Sequence, residues 1–134
     1  MSDQILRHVE AKYLKTDLPE MKVGDNVDVH CRIVEGDKER IQVFSGVILA
    51  IKGGGINQRV TVRRIVSNEG VERIFPTHSP KIAKFEVKRS AHTRRAKLYY
   101  LRDRLGKSRR LRDQRRGLDT AVAPAAEPAA EAKS

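Results

Sequence analysis

Residues 26–52 decide the predicted fold, and they read NVDVHCRIVEGDKERIQVFSGVILAIK. Every second residue from Val27 to Ile33 is apolar, which is the pattern of a strand with one buried face. Residues 35–38 have the Gly and Asp composition of a turn. Residues 39–52 carry apolar side chains at both parities, which is typical of a central strand or of one bent around a barrel. The stretch therefore predicts a hairpin whose second strand is long and lies inside a sheet.

Three further strands are predicted after this hairpin. Val60 and the residues that follow it resume the alternation, and a change of parity predicts a bulge or bend near residues 63–64. Residues 68–70 indicate a turn, and residues 71–75 and 83–87 are short strands. No strand–helix–strand pattern separates the five strands, so a mainly β fold is predicted.

A small antiparallel SH3-like barrel over residues 19–92 fits these five strands. An OB-type barrel stays open as the alternative, because its strand number is similar and periodicity does not report strand order.

A helix is predicted on each side of the barrel, because apolar residues recur there at spacings of three and four. The first covers residues 2–15 within an N-terminal segment 1–18, and the second begins at residue 93 and stops at Gly106. The apolar positions that define them are Leu6, Val9 and Tyr13 in the first helix and Leu98, Leu101 and Leu105 in the second.

The composition of the C-terminal part changes twice. Residues 93–118 form a basic C-terminal helix and extension, in which residues 107–117 hold one apolar anchor, Leu111, and are expected to become ordered only on a partner. Residues 119–134 hold seven Ala and two Pro, and they are predicted to be a disordered Ala/Pro tail.

The net charge of the chain is concentrated in one segment. The whole chain has 28 Lys and Arg against 17 Asp and Glu, a net charge of +11. Residues 84–118 hold fourteen of the cations and three of the acids, so the charge of this segment equals that of the whole chain. A polyanion is therefore the predicted partner, and the excess of Arg over Lys in this segment suits bidentate contact with phosphate.

Charge alone does not distinguish DNA from RNA. The sequence shows no helix-turn-helix, zinc finger, RNP or KH signature, so we favour a structured RNA that is recognised by its shape and backbone. The candidate RNA-binding residues are basic side chains together with one histidine and one tyrosine. They are Lys52, Arg63, Arg64, Arg73, His78, Arg89, Arg94, Arg95, Lys97, Tyr100, Arg102, Arg104, Lys107, Arg109, Arg110 and Arg112.

The sequence offers no catalytic or metal-binding constellation. The four histidines fall in four different predicted elements and Cys31 is the single cysteine, so ligands at a metal-binding spacing are missing. The glycines of residues 53–55 precede a strand and lack the Gly-Lys-Ser/Thr of a phosphate-binding loop. We therefore expect no enzyme activity, no metal, no cofactor and no small-molecule substrate.

The expected location is the cytoplasm. One cysteine cannot form an internal disulfide, which fits a reducing compartment. No apolar run approaches the ~20 residues of a membrane helix, and the first residues lack the pattern of a signal peptide. We expect no membrane partner.

Four blocks of the sequence stand in a familiar order and spacing. They are VEGDKERIQVF with GV in residues 34–47, GGGI in residues 53–56, VERIFPTHSP in residues 71–80 and RRAKLYYLR in residues 94–102. Together they resemble the bacterial large-subunit ribosomal protein family L19. Asp37 and Ser45 depart from the usual pattern near turns, and the residues after Arg112 extend beyond the usual end of the family.

The resemblance implies an SH3-like barrel with flanking helices. It also implies a structural constituent of the large (50S) ribosomal subunit that acts in translation and binds ribosomal RNA. Such a protein lies at the interface between the 30S and 50S subunits, where it forms an inter-subunit bridge to small-subunit RNA, contacts neighbouring large-subunit proteins and supports the aminoacyl-tRNA site. From the residues alone, two alternatives stay open: a nucleic-acid-binding module that acts off the ribosome, and a barrel enzyme or protein-interaction module.

Overall fold

The computed structural model describes residues 2–113 of the chain. Within these residues the chain forms one α-helix and five strands, so all five predicted strands are present. They are α1 (Ser2–Ala11), β1 (Asn26–Glu35), β2 (Lys38–Lys52), β3 (Arg59–Val66), β4 (Glu69–Pro76) and β5 (Ile82–Arg89). The predictions for residues 114–118 and for the tail 119–134 lie outside the described residues.

The strands form a single antiparallel sheet in the order β4-β3-β2-β1-β5. Consecutive strands pair from β1 to β4, and β5 returns to pair with β1, with Phe85 opposite Val29. The predicted mainly β, antiparallel fold is therefore confirmed. Within the described residues β4 and β5 are the two edges of an open sheet and do not pair with each other.

The sheet has a bulge on β2, whereas the sequence predicts a bulge or bend on β3. The pairing of β3 with β4 continues without a break through Arg63 and Arg64, whereas the register between β2 and β3 shifts between Ile48 and Ala50. Leu49 is therefore the extra residue. Because an extra residue reverses the side-chain alternation of a strand, Ile48 before the bulge and Ile51 after it both pack in the main core.

The turn between β3 and β4 also differs from the prediction. It is formed by Ser67 and Asn68, which both have positive φ angles of 50° and 64°. Gly70 lies in β4, opposite Ile65, and not in the turn.

The main core takes side chains from all five strands. Val29, Ile48, Val62, Phe75 and Phe85 represent β1 to β5 in this cluster, and each is at most 6% exposed. Burying an apolar side chain of this size contributes about 1.5–3 kcal/mol to stability. The edge strands therefore share one core with the central strands.

A second, smaller core lies on the opposite face of β2. It consists of Leu49, Leu98 and Leu101, with Val47 and Leu111 packed against them. The Leu98 backbone N–H donates to the Leu49 carbonyl oxygen, with 2.9 Å between N and O. The bulge on β2 thus positions the C-terminal segment on the sheet.

The predicted C-terminal helix is wrong. Residues 93–113 contain two short 3-10 turns, Tyr99–Asp103 and Gly106–Arg109, and no α-helix. A backbone that pairs with a strand cannot also form helical hydrogen bonds, and Lys97 pairs with Ala50 of β2 in an antiparallel bridge. The third position of the predicted apolar stripe, Leu105, is 74% exposed.

The N-terminal helix is shorter than predicted. It ends at Ala11, four residues before the predicted end, and none of its residues is buried. The Lys15 backbone N–H donates to Nδ1 of His78 at 3.0 Å, and Lys15 Nζ donates to the carbonyl oxygens of Ser79 and Ile82 at 2.7 and 2.6 Å. Burial lowers the pKa of the Lys15 amine, and the charge of Arg32 lowers it further. These contacts fix the end of the segment against the loop before β5.

Candidate nucleic-acid interface

Residues 90–113, called here the basic arm, form a loop whose two ends pair with each other. The His92 backbone N–H donates to the Arg112 carbonyl oxygen, with 2.9 Å between N and O. Next to this pair, the Asp113 carboxylate accepts hydrogen bonds from Nε and Nη2 of Arg89 on β5. The arm therefore leaves the sheet and returns to it at one place.

Apolar and small side chains hold the basic arm against the sheet. Besides the leucines of the second core, Thr93 Oγ1 donates to the Val23 carbonyl oxygen at 3.1 Å. Leu111 packs beside the same core, so residues 107–113 are folded back on the domain. Their single apolar anchor thus contacts a core built by other segments, and the ordering of residues 107–117 only on a partner stays a prediction.

Four arginines converge on one open cleft of the basic arm, called here the arginine cleft. Its lining residues are His92, Thr93, Arg94, Arg95, Tyr100, Arg104 and Arg112, and no carboxylate is among them. The guanidinium carbons of Arg95 and Arg104 lie 5.3 and 4.6 Å from the centre of the Tyr100 ring. A guanidinium stacked on a ring keeps N–H groups free in its own plane, so this cleft is suited to bind phosphate.

Tyr99 is the centre of a second cationic site. The guanidinium carbon of Arg102 lies 4.6 Å from the centre of its ring, and Lys52 Nζ lies 5.6 Å from it. Since Tyr99 and Tyr100 are adjacent, one 3-10 turn presents two aromatic rings, each with its own pair of cations. The two sites together are called here the basic surface of the arm.

The Glu72 carboxylate on β4 forms hydrogen bonds with a cation of the arm. It accepts hydrogen bonds from Nε and Nη2 of Arg102, both at 2.7 Å, and from Nη1 of Arg63 at 2.9 Å. These bonds, led by those from Arg102, hold the pKa of the Glu72 carboxyl below its ordinary value, although partial burial acts in the opposite direction. Glu72 is therefore ionised at neutral pH and ties the basic arm to β4.

Two other kinds of feature, a metal site and a membrane-spanning helix, are absent from residues 2–113. In this range no three His, Cys, Asp or Glu side chains are grouped so that they could hold a metal ion. None of the helices in the same range has the length and apolar character needed to cross a membrane.

Comparison with known proteins covers almost the whole described chain. The family model of "Ribosomal protein L19" matches residues 4–114. This chain belongs to the ribosomal protein L19 family. The resemblance carried by the four sequence blocks is thereby confirmed.

Relatives of known identity agree with this assignment. The chain is 56% identical over 116 residues to large ribosomal subunit protein bL19 of Rhodopirellula baltica, a match that covers 87% of this chain and 99% of that protein. It is 50% identical over 113 residues to bL19 of Microcystis aeruginosa, which covers 84% of this chain and 94% of that protein. This L19-family chain is thus a structural protein of the large ribosomal subunit that acts in translation, and its family is not one of enzymes.

Most of the RNA-binding residues predicted for this L19-family chain are brought together on the basic arm. Those in the arginine cleft are Arg94, Arg95, Tyr100, Arg104 and Arg112, and those that flank Tyr99 are Lys52, from β2, and Arg102. Those elsewhere on the arm are Lys97, Lys107, Arg109 and Arg110. Arg109 Nε donates to the Arg104 carbonyl oxygen at 3.1 Å, which joins the second 3-10 turn to the cleft.

The other predicted residues, Arg63, Arg64, Arg73, His78 and Arg89, lie on the sheet or in its loops. Arg64 and Arg73 lie over the rings of Phe44 and Phe75, 5.9 and 5.3 Å from the ring centres. His78 accepts from the Lys15 backbone through Nδ1, so a neutral ring carries its proton on Nε2. The Arg63 side chain is only 14% exposed and bonded to Glu72, and Arg89 is paired with Asp113. RNA contact by these five residues stays a prediction.

Two carboxylates, those of Glu72 and Asp113, hold arginines of this family member in place and are not predicted from the sequence. Arg63 and Glu72 are opposite each other in the β3–β4 pair, so their hydrogen bond follows once the hairpin register is known. Arg102 lies 30 residues from Glu72, and Asp113 lies 24 residues from Arg89. No periodic signal in the sequence reports pairs at such separations.

Proposed function

We propose that this L19-family protein binds ribosomal RNA through its basic arm. The observation that carries the proposal is the arginine cleft, which is lined by four arginines and no carboxylate, and in which the guanidinium groups of Arg95 and Arg104 lie over the Tyr100 ring. Such a site suits the sugar–phosphate backbone of RNA, with the ring available to a base or ribose. The sixteen residues predicted from the sequence are the proposed contacts, and those of the arm are the principal ones.

We further propose that the protein lies in the cytoplasm at the interface between the 30S and 50S subunits. There it forms part of an inter-subunit bridge, contacts small-subunit RNA and neighbouring large-subunit proteins, and supports the aminoacyl-tRNA site. The net charge of +11 favours a position surrounded by phosphate groups, since so many cations repel one another in an isolated chain.

We also infer that the open sheet curves into an SH3-like barrel over residues 19–92, between the N-terminal segment 1–18 and the C-terminal segment 93–118. The strand order supports this inference, because three consecutive hairpins are followed by a strand that returns to β1. A core shared by both edge strands supports it too, since a flat sheet would hold its edges far apart.

The first experiment measures incorporation into the large subunit. Charge reversal of Arg94, Arg95 and Arg104 to Glu is expected to leave the chain at the top of a sucrose gradient, whereas the unmodified chain sediments with the subunit. A control reverses Arg7, Lys12 and Lys38, which removes the same charge outside the arm, and circular dichroism verifies that both variants fold. Sedimentation of the arm variant with the subunit at high salt would overturn the proposal.

A second experiment tests the position at the subunit interface. Cys31 is the single cysteine and is buried, so an iron chelate attached to a new cysteine reports one position. Tethers at Lys12→Cys, Lys38→Cys and Ser108→Cys are expected to cleave large-subunit RNA in isolated large subunits. At least one tether should also cleave small-subunit RNA once the subunits join. Cleavage of large-subunit RNA alone from all three positions would refute the interface location.

A further inference from the structure

The Glu72 carboxylate is an acid placed among the cations of a surface proposed to bind RNA. Its side chain is 23% exposed, and it bonds to one arginine from the basic arm and to one from the neighbouring strand β3. Such a carboxylate repels phosphate and so lowers the affinity for RNA, unless its effect on the neighbouring arginines offsets the repulsion. The geometry of the two arginines indicates what that effect is.

Arg102 is held by one edge of its guanidinium, and the other edge is left free. Nε and Nη2 each donate to a different oxygen of Glu72 at 2.7 Å. Of the five guanidinium N–H groups, three therefore remain, two on Nη1 and one on Nη2. The same guanidinium is stacked on the ring of Tyr99 at 4.6 Å, and its side chain is 48% exposed. The two hydrogen bonds and the contact with the Tyr99 ring thus restrain the guanidinium group, and its second edge forms no hydrogen bond within residues 2–113.

Arg63 holds the Glu72 carboxylate by a hydrogen bond from the neighbouring strand, so it is not itself a free cation. Its side chain is 14% exposed, and Nη1 donates to Glu72 Oε1 at 2.9 Å. Gly70 leaves the space that this side chain needs, because a Cβ atom at residue 70 would lie 2.2 Å from Arg63 Nη2. The glycine in β4, the arginine in β3 and Glu72 together form a support for Arg102.

We propose that Glu72 is a positioning residue that holds the free edge of Arg102 ready to bind a backbone phosphate of RNA. This inference rests on the proposed RNA-binding function and deepens it. An arginine that is already fixed loses less side-chain freedom when it binds, so the bidentate contact with phosphate is strengthened. The lowered pKa of Glu72 agrees with this role, since the carboxylate is ionised at any pH near neutral.

The proposal predicts the sign of a mutational effect. If the Glu72 carboxylate only repels RNA, neutralising it should raise the affinity for RNA. If it positions Arg102, neutralising it should lower that affinity, even though the protein becomes more basic. Glu69 provides a matched control, because it lies three residues away on β4, is exposed, and forms no ion pair within residues 2–113.

The test measures the affinity of the full chain for deproteinised large-subunit RNA by filter binding. Glu69→Gln is expected to raise the affinity about twofold by removing one acidic charge. Glu72→Gln is expected to lower it about three- to tenfold, the cost of immobilising a released arginine. Arg102→Lys keeps the charge but loses the bidentate geometry, so it is expected to weaken binding by a similar factor without risk to the fold.

A double-mutant cycle separates positioning from a general effect on structure. In an Arg102→Ala background, Glu72→Gln has no arginine of the arm left to release, so it should raise the affinity about as much as Glu69→Gln does. An increase in affinity for Glu72→Gln in the unmodified background would overturn the proposal, as would unchanged binding by Arg102→Lys. If the unmodified chain shows no salt-dependent binding to this RNA, the proposed function fails together with the inference. If it binds and Glu72→Gln behaves like Glu69→Gln, the inference alone fails.

Discussion

A steep salt dependence of RNA binding is the most direct prediction that follows from the proposed role of the basic arm. Counterions released from the RNA backbone make the logarithm of the binding constant fall linearly with the logarithm of the salt concentration. The slope reports how many phosphates are neutralised. The structure supplies that number, because cations already paired with a carboxylate contribute less than free ones.

Eight cations of the basic arm pair with no carboxylate of residues 2–113. They are Arg94, Arg95, Lys97, Arg104, Lys107, Arg109, Arg110 and Arg112, whereas Arg102 is bonded to Glu72. If each engages one phosphate, the log–log slope is about −6 to −7, from roughly −0.7 per contact for single strands to −0.9 for duplexes. The affinity should then fall on the order of 10⁴-fold between about 50 and 200 mM salt.

Replacing Arg94, Arg95 and Arg104 with Gln should remove three of these contacts. The slope is expected to become shallower by about 2 to 3, and the affinity of the variant should fall only about 10²- to 10³-fold over the same salt range. Filter binding of the chain to deproteinised large-subunit RNA at several salt concentrations measures both slopes. Replacing Arg7, Lys12 and Lys38 with Gln removes the same charge outside the arm and should leave the slope nearly unchanged.

Two results would refute this reasoning. A slope near −1 for the unmodified chain would mean that phosphate neutralisation by the arm is not the source of affinity. Equal changes of slope in the two triple variants would mean that only the net charge matters and that the geometry of the arginine cleft does not.

Three further predictions concern stability and are checked by denaturant unfolding. Leu98→Ala should lower the free energy of unfolding by about 2–5 kcal/mol, because Leu98 is fully buried in the second core, whereas Leu105→Ala at a 74% exposed position should have little effect. Gly46→Ala should cost about 1–3 kcal/mol, since its Cβ would lie 2.4 Å from the backbone oxygen of Arg63, while Gly54→Ala, with no atom within 4 Å, serves as the control. The folded state lowers the pKa of Glu72 below 4.5, so its ion pairs contribute fully above that pH and are lost as the pH falls through the lowered value. The stability difference between the unmodified chain and Glu72→Gln should therefore shrink in acid, and a difference independent of pH would contradict the ion pairs.

The strands could be predicted from the sequence because their alternation reflects one continuous core. Val27 and Val29 alternate with polar residues on β1, and both are buried as the pattern requires. The predicted place of the bulge is wrong. The change of parity that suggests it lies on β3, whereas the extra residue is Leu49 on β2. Periodicity reports which face a residue takes, and it does not report which of two paired strands holds an additional residue.

The C-terminal helix could not be excluded from the sequence, because leucines that meet a neighbouring strand resemble a helical stripe. Leu98 and Leu101 are buried as a helix would predict, but against Leu49 and not along a helix face. Local spacing cannot reveal that the Leu98 backbone N–H bonds to β2. The cationic composition of the site was predictable, whereas the pairing of Arg102 with Glu72 depends on tertiary structure.

The cations of an arm that is already folded should bind RNA at a lower cost in backbone entropy than the same cations in a disordered tail. Ordering the backbone of a disordered segment costs about 1–2 kcal/mol per residue, and a basic tail must meet that cost when it binds RNA. In the basic arm, the leucine contacts and the pairing of Arg89 with Asp113 hold the backbone against the sheet, so we expect a smaller ordering cost on binding. We therefore expect Leu98 and Leu101 to strengthen the proposed RNA binding, because their packing in the second core holds the arginines of the cleft in place before phosphates bind.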